Sequence, residues 1–278
     1  MSPRFIEKMA KRFLPLYVRI PIRYLRFRMA LGRQVIYDCL HGSQQGGIAV
    51  PPPLLRFRVQ GGVGDANNFL NVGLNCMQDA ISTLRRFGTE LHEFRNILDF
   101  GCGSGRMMRW MQGLPESVRL TGTDIDKKAV AWCRKHIPFA RFDLNEPHPP
   151  LIYDSHSFDL ILSVSVLNHF DAPYQKEWIQ ELKRVSAPNG MLLLTFFGTI
   201  AQQYLDEADR KRIRSSGALF REDITGFFKP DGLPDFYQSM FQNRKSVVEL
   251  CSPHFEVLEY VEGGIGNFED LIILRNSL

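Results

Sequence analysis

The stretch Asp99-Phe100-Gly101-Cys102-Gly103-Ser104-Gly105 decides the fold of this 278-residue chain. It follows an apolar run that begins at Asn96, so an acidic residue and a glycine-rich turn come at the end of a predicted β-strand. Glycine lets the backbone approach a ligand closely, because a Cβ atom would obstruct the approach. We therefore predict a ligand at this turn and a helix that begins near Arg106 and aims its N–H groups at the ligand.

The spacing of the glycines separates two classes of nucleotide-binding turn. The dinucleotide fingerprint G-x-G-x-x-G would need a glycine at position 106, where this chain has an arginine. Arg106 would crowd the start of the helix where a pyrophosphate needs close packing, although its charge could attract a phosphate. The turn therefore disfavours a nicotinamide cofactor and leaves another nucleotide-like ligand open.

Two further predicted strands also end in carboxylates. Asp124 comes 25 residues after Asp99, and an ionised carboxylate there suits two vicinal ribose hydroxyls because it accepts two charge-assisted hydrogen bonds. Asp143 is placed to accept from an exocyclic amine while Leu144 contacts a ring; a role in a turn or cap is the alternative. Asp126 is predicted to cap the following helix.

The fourth predicted strand, within residues 158–164, places polar groups at the same edge of the sheet. Ser163, Asn168 and His169 lie near its carboxyl end, where sites in open parallel sheets are found. His169 is the best candidate for a general base because the usual pKa of histidine is close to neutrality. A purely structural hydrogen bond is the alternative for this residue.

Short apolar runs alternate with helical patterns from Asn96 onward, which predicts βαβ units and a parallel sheet. A helix from Asp65 to Gly88 precedes the sheet, and residues 255–261 and 270–274 form a final hairpin. Residues 198–249 are too long for an ordinary connection and are predicted to form a lid over an acceptor molecule. The candidate lid contacts are Tyr204, Arg221, Tyr237 and Arg244.

Five successive segments, NILDFGCGSGR, TGTDID, RFDL, FDLILSVSVLNHF and ELKRVSAPNGMLLLTFF, together resemble the motifs of class I S-adenosylmethionine-dependent methyltransferases. The resemblance implies an α/β, Rossmann-like, seven-stranded sheet, mostly parallel with a C-terminal antiparallel hairpin. It also implies S-adenosylmethionine as cofactor and S-adenosylhomocysteine as product. The cofactor residues implied in this way are Asp99, Gly101, Gly103, Gly105, Arg106, Asp124, Ile125, Asp143, Leu144, Ser163 and Asn168.

By position in the motifs, the methionine end would lie at Asp99 and the glycines, the ribose at Asp124 and the adenine at Asp143 and Leu144. A second likeness, in PPPLLRFRVQGG and FLNVG, is to bacterial methyltransferases found beside polysaccharide or natural-product genes. The predicted activity is O-methylation of a sugar, glycan or small metabolite with His169 as base. A non-catalytic partner subunit and a lipid-linked or protein acceptor are the alternatives. Nucleic acid is disfavoured because the Asn-Pro-Pro-Tyr signature is absent.

The N-terminal segment is strongly basic. Residues 1–33 hold nine Lys or Arg and one acid, a net charge of +8, so the remainder carries −4. Such a segment suits an anionic membrane surface or an acidic partner. Pro15 and Pro21 are predicted to interrupt any long helix. We assign residues 1–50 to this arm and its linker, which covers residues 41–47, and residues 51–278 to the methyltransferase domain.

The five cysteines are scattered and show no metal-binding spacing, so neither a disulfide framework nor a metal site is predicted. No apolar run has the length that a spanning helix needs, and no uninterrupted signal-peptide core follows the basic start. We therefore expect a cytoplasmic protein, with the arm as its only contact to a membrane.

Overall fold

The computed structural model describes residues 16–41, 44–60, 65–222, 229 and 232–277. Its strands are β1 (Gln44–Gln45), β2 (Ile48–Ala49), β3 (Asn96–Phe100), β4 (Arg119–Asp124), β5 (Arg141–Leu144), β6 (Phe158–Ser163), β7 (Ser186–Phe196), β8 (Ala218–Arg221), β9 (Ser239–Gln242), β10 (Glu256–Ile265) and β11 (Glu269–Arg275). Its α-helices are α1 (Leu16–His41), α2 (Pro53–Gln60), α3 (Ala66–Arg86), α4 (Lys127–His136), α5 (Ala172–Val185), α6 (Thr199–Gln202), α7 (Glu207–Ser216) and α8 (Arg244–Cys251).

A seven-stranded sheet in the order β10-β11-β7-β6-β3-β4-β5 forms the centre of the molecule. Five neighbouring strands of this sheet are parallel, namely β7, β6, β3, β4 and β5. In contrast, β11 runs antiparallel to both of its neighbours. The predicted Rossmann-like sheet with a final antiparallel hairpin is therefore confirmed. Parallel pairing brings the carboxyl ends of β3, β4 and β6 to one edge, which positions the site.

Hydrophobic side chains fill both faces of the sheet because successive residues of a strand point to opposite sides. On β3, Ile97 packs in the core beside α3 and α4, whereas Leu98 packs in the core beside α5 and α8. Leu193 and Leu194 on β7 divide between the two cores in the same way. This double burial explains why the strand sequences are nearly continuous apolar runs.

Helices α3 and α4, which lie beside the sheet, begin at aspartate caps. Asp65 accepts a hydrogen bond from the backbone N of Asn68 at the start of α3, and Asp126 accepts from the backbone N of Lys128 at the start of α4. Each cap satisfies a backbone N–H that has no partner within its helix. The predicted helices at these two positions are confirmed, with α3 ending two residues before Gly88.

The segment after the glycine turn is not the predicted α-helix. Gly105 and Gly113 both have positive φ angles, of 74° and 92°, and these leave room for only one turn of 3₁₀-helix, at Met108–Met111. Residues Pro53–Gln60 form α2, a helix that the sequence did not predict. Pro53 is the first residue of α2, where the fixed φ of proline suits a helix and its missing N–H costs nothing.

The N-terminal segment also differs from expectation. Pro21 lies inside α1 and does not end it, because a proline near the start of a 26-residue helix removes only one backbone hydrogen bond. Pro15 lies outside the described residues. Part of the predicted linker forms the small hairpin of β1 and β2, whose Ile48 and Ala49 carbonyls accept hydrogen bonds from Arg109. Among the described helices, none has the length and apolar character needed to cross a bilayer.

The insertion predicted as a lid contains α6, α7, β8, β9 and the start of α8. Strands β8 and β9 pair as an antiparallel hairpin, and Phe241 on β9 bridges to Phe197 at the end of β7. Asp270 fixes the start of the insertion by accepting hydrogen bonds from the backbone N of Thr199 and from the Tyr260 hydroxyl. The insertion therefore lies at the same edge of the sheet as the glycine turn.

Candidate active site

A cavity of about 550 Å³ opens at the carboxyl ends of β3, β4 and β6. Eight of the residues singled out from the sequence line it, namely Asp99, Gly101, Gly103, Arg106, Asp124, Ile125, His169 and Tyr237. They come from four separate stretches of the chain, which only the folded structure brings together. This cavity is the candidate active site.

Asp99 is the most unusual group in the cavity. Its side chain is buried, and its Oδ2 atom has no hydrogen-bond partner among the described residues. Burial raises the pKa of Asp99 to about 7, with Arg106 opposing this rise and Asp124 adding to it. An unpartnered carboxylate in such a place favours a cationic ligand, which would compensate for the cost of burying the charge.

Asp124 lies on the neighbouring strand and is held rigidly. Its Oδ2 atom accepts from the backbone N of Gly103 and its Oδ1 atom from the backbone N of Asp126, both at 2.7 Å. Burial raises the pKa of Asp124 above its usual range, although these two backbone hydrogen bonds oppose the rise. Each carboxylate oxygen retains a second acceptor position, so this residue can accept from two hydroxyl groups.

The glycines of the turn are required first by the packing of the protein. Gly101 and Gly103 have φ angles of 75° and 52°, and a Cβ on either would lie 2.1 Å from Val166 Cγ2 or 2.3 Å from Val59 Cγ1. A Cβ on Gly105 would lie 2.4 Å from Ile137 Cδ1. Close approach to a ligand, the reason inferred from the sequence, is therefore not the only constraint on these positions.

Helix α2 forms one wall of the cavity, a role that the sequence did not suggest. It contributes Leu55, Phe57, Arg58, Val59 and Gln60 to the lining. Two contacts attach it to the sheet edge, since Arg106 donates to the carbonyl of Val59 and Arg58 pairs with Asp126. The guanidinium of Arg106, predicted to bind the cofactor, thus satisfies a carbonyl at the end of α2. Pro53 was the signal that could have revealed this helix.

His169 lies on the opposite wall with a defined tautomer. Its Nδ1 atom is 2.6 Å from the carbonyl oxygen of Gln238 and must donate, because a carbonyl can only accept. The Nε2 atom is therefore the basic nitrogen. Burial lowers the pKa of His169 to about 4, so the ring is neutral near physiological pH. Its ring stacks on Tyr237 at a centroid distance of 4.0 Å.

Aromatic side chains dominate the wall around His169. The cavity is lined there by Phe170, Trp178, Phe197, Phe236, Tyr237 and Phe268. Phe236 and Tyr237 belong to the predicted lid insertion, so the described part of that insertion contributes to the wall. These rings offer flat apolar surfaces and few hydrogen-bonding groups of their own.

Glu269 is a buried carboxylate in the lining that sequence reasoning missed. It accepts hydrogen bonds from the hydroxyls of Ser165 and Thr195, from the backbone N of Ser165 and from Nδ2 of Asn168. Asn168 is completely buried and serves this network without lining the cavity. The residue escaped notice because Glu269 enters the site from β11, one hundred residues beyond Ser165 and Asn168 in the chain.

The remaining predicted residues do not reach the cavity. Asp143 lies beside it, but its carboxylate pairs with Arg141 and accepts from the Tyr153 hydroxyl, while Leu144 is 41% exposed. Asn145 and Pro147, a little further along the chain, line the cavity instead. The others outside the lining are Gly105, Ser163, Asn168, Tyr204, Arg221 and Arg244.

The structure shows why three of the four predicted lid contacts do not line the cavity. Tyr204 is 79% exposed, and its ring packs against Phe268 at a centroid distance of 5.8 Å. Arg221 is an exposed residue at the end of β8, and the Arg244 guanidinium lies over the ring of Tyr260. Of the four predicted lid contacts, only Tyr237 lines the cavity, because the other three lie on the outer surface of the insertion.

Comparisons with known proteins point to one class of enzyme. Residues 98–194 match the sequence model of a family described as "Methyltransferase domain". The chain is 28% identical over 121 residues to a ubiquinone biosynthesis O-methyltransferase from Glaesserella parasuis, a match that spans 40% of this chain and 49% of that relative. These findings confirm the resemblance to class I methyltransferases over the central motifs.

Two solved structures share the fold at low sequence identity. The 1,6-didemethyltoxoflavin-N1-methyltransferase of Burkholderia thailandensis, solved with S-adenosylhomocysteine, has a TM-score of 0.51 and 14% identity, covering 83% of this chain and 95% of that chain. Human N-acetylserotonin methyltransferase, solved with S-adenosylmethionine, has a TM-score of 0.50 and 14% identity, covering 90% and 67%. At such identities these likenesses establish the fold alone.

Proposed function

We infer that this chain, with its class I methyltransferase fold, is an S-adenosylmethionine-dependent enzyme that methylates a hydroxyl group on a small, ring-bearing metabolite. The observation that carries the proposal is the juxtaposition, in one cavity, of two carboxylates at adjacent strand ends with an aromatic wall and a neutral histidine. The two carboxylates suit the cofactor, and the aromatic wall and the histidine suit the acceptor.

The carboxylates match the polar groups of S-adenosylmethionine. The unpartnered Oδ2 atom of Asp99 would accept from the α-ammonium group, and the two oxygens of Asp124 would accept from the ribose hydroxyls. Beyond Asp124, the cavity continues past Ile125, Ala129 and Asn145, which would contact the adenine. When bound, the cofactor supplies an electrophilic methyl group on a sulfonium.

The acceptor side of the cavity supports one of the acceptor classes considered from the sequence. A free sugar presents many hydroxyls that each need a partner once buried, and the aromatic wall offers few. A planar ring stacks well on such side chains, which favours the small-metabolite class over the sugar or glycan class. The similarity to a ubiquinone biosynthesis O-methyltransferase agrees with a hydroxyl as the methylated group.

His169 is placed to receive the proton of that hydroxyl. Its Nδ1–H bond to the Gln238 carbonyl fixes the ring and leaves Nε2 as the nitrogen that can accept a proton. The carbonyl would also stabilise the imidazolium formed as the proton arrives. A pKa of about 4 makes His169 a weak base, which suits an acidic hydroxyl such as a phenol better than an alcohol.

The rest of the cavity aligns the reactants and excludes water. Methyl transfer is an in-line displacement that needs no covalent help from the protein, so positioning supplies much of the rate. Helix α2 closes the cofactor side, and residues Phe236 and Tyr237 of the insertion close the acceptor side. We propose that this insertion is the lid over the acceptor.

Calorimetry and a turnover assay test the proposal. We expect S-adenosylmethionine and S-adenosylhomocysteine to bind the wild type, and Asp124→Ala to weaken both by about a hundredfold or more, since two charge-assisted hydrogen bonds are lost. His169→Gln should keep cofactor affinity and lower kcat by about a hundredfold or more. Tyr204→Ala, an exposed position in the insertion, is the matched control and should behave as wild type.

Each part of the proposal can fail separately. No heat with either adenosyl ligand would identify a non-catalytic scaffold. Turnover with sugars but not with phenols, detected by mass spectrometry of the methylated product, would overturn the acceptor class alone. Full activity of His169→Gln at all pH values would remove the base assignment and leave the cofactor assignment intact.

A further inference from the structure

We propose that the outer face of α1, formed by Ile22, Leu25, Met29, Ile36 and Leu40, binds the surface of an anionic lipid bilayer. These residues recur at steps of three, four and seven, so they form one stripe along the helix. Their exposed fractions run from 43% at Ile22 to 75% at Leu40. A stripe of five exposed large apolar side chains on one helix indicates a binding surface.

The opposite face of α1 is fixed against the domain, which determines where the stripe points. Phe27 packs on Phe57 of α2 with a ring-centroid distance of 4.4 Å, and Leu31 is buried. Asp38 pairs with the buried Arg56 at 2.6 Å, also from α2. These contacts fix the orientation of α1, so the stripe points away from the protein.

The charges around the stripe are all positive. Arg23, Arg26 and Arg33 lie along one edge of the stripe and Arg28 along the other, and all four are exposed. No ion pair within the described part of the chain involves any of them. The one acid on α1, Asp38, belongs to the inner face. Among the described residues, therefore, no acid neutralises the arginines of the outer face.

This combination suits a bilayer better than the other possible occupants. In an anionic bilayer the apolar stripe enters the acyl boundary while the flanking arginines meet lipid phosphates. A second copy of the chain, bound by the same face, would place arginines against arginines. Nucleic acid would engage the arginines but would leave the central apolar stripe against water.

Sedimentation with vesicles tests the proposal on the full chain. We expect the protein to bind vesicles that contain phosphatidylglycerol and to stay in solution with phosphatidylcholine alone. The triple variant Leu25→Gln/Met29→Gln/Ile36→Gln should lose binding, and Arg26→Gln/Arg33→Gln should weaken it about fivefold for each arginine removed. Ile152→Gln, at an apolar position 65% exposed elsewhere on the surface, is the control and should bind as wild type.

Other outcomes separate the alternatives. Cofactor affinity of every variant should equal that of the wild type, which excludes misfolding as the cause of lost binding. Equal binding to both kinds of vesicle, or unchanged binding by the triple variant, overturns the proposal. So does a wild-type dimer in light scattering that the triple variant converts to a monomer without any vesicle binding, because the occupant is then a second copy.

Discussion

Acidification from pH 7 to pH 5 should weaken binding of S-adenosylmethionine through the protonation of Asp99. The pKa of this carboxyl is about 7 in the ligand-free chain, and the α-ammonium group of the ligand binds the ionised form. The ionised fraction is about one half at pH 7, about one eleventh at pH 6 and about one hundredth at pH 5. Affinity should therefore fall about fivefold at pH 6 and about fiftyfold at pH 5.

Isothermal titration calorimetry measures this linkage directly. At pH 7, binding should release about half a proton, seen as a difference in heat between buffers of unlike ionisation enthalpy. The α-amino group of the ligand stays charged over this range, because its usual pKa is about 7.7 to 8. Asp99→Asn should bind weakly with no dependence on pH, whereas Asp124→Asn should bind weakly and keep the slope. A flat wild-type profile between pH 5 and 7 would refute the reasoning.

The same carboxyl affects the stability of the ligand-free protein. Its folded pKa is raised above the unfolded value of 3.8, so the folded state holds the proton more tightly. The stability that this proton contributes is complete below pH 3.8 and is lost as the pH rises through about 7. The loss amounts to roughly 4 kcal/mol. Asp99→Asn should consequently raise the free energy of unfolding at pH 8, measured by urea denaturation, although it weakens cofactor binding.

Three further substitutions test the packing around the site. Gly73→Ala should lower the free energy of unfolding in urea by about 1 to 2 kcal/mol, because the added Cβ would lie 2.4 Å from the Arg106 carbonyl oxygen. Alanine favours helices more than glycine does, so a more stable variant would contradict this prediction. Asp270→Ala should cost about 3 kcal/mol in thermal unfolding, since it leaves the Tyr260 hydroxyl and backbone N–H groups without their acceptor; an unchanged Tm would count against this network. Gly103→Ala should weaken the cofactor in calorimetry by displacing Val59 and α2, and unaltered affinity would show that α2 yields freely.

The strands of the parallel sheet and helices α3 and α4 followed from local patterns. Continuous apolar runs, each bounded by a turn, predict buried parallel strands because helices cover both faces of the sheet. Aspartates at positions 65 and 126 predict helix starts because a cap acts within three residues. The short 3₁₀ turn at Met108–Met111 was missed, since two positive φ angles cut short a segment with a helical pattern.

The residues of the candidate site also divide into those that local sequence patterns predict and those that such patterns do not. Asp99, Asp124 and His169 were recognisable because parallel strands place their carboxyl ends at one edge, and each lies within a few residues of such an end. The contribution of Glu269 and of helix α2 to the cavity was not recognisable, because they enter it from β11 and from a segment before the sheet. Nothing in their local sequence indicates which distant residues they will contact.

The sequence by itself determined the sheet, the glycine turn and the two carboxylates, because these depend on periodicity and spacing over a few residues. Tertiary structure alone decided that Asp143 pairs with Arg141 and Tyr153, that α2 forms the cofactor wall and that burial raises the pKa of Asp99 to about 7. It also decided which face of α1 is exposed. Burial and pairing depend on how the folded chain arranges side chains in space, which local sequence patterns do not specify.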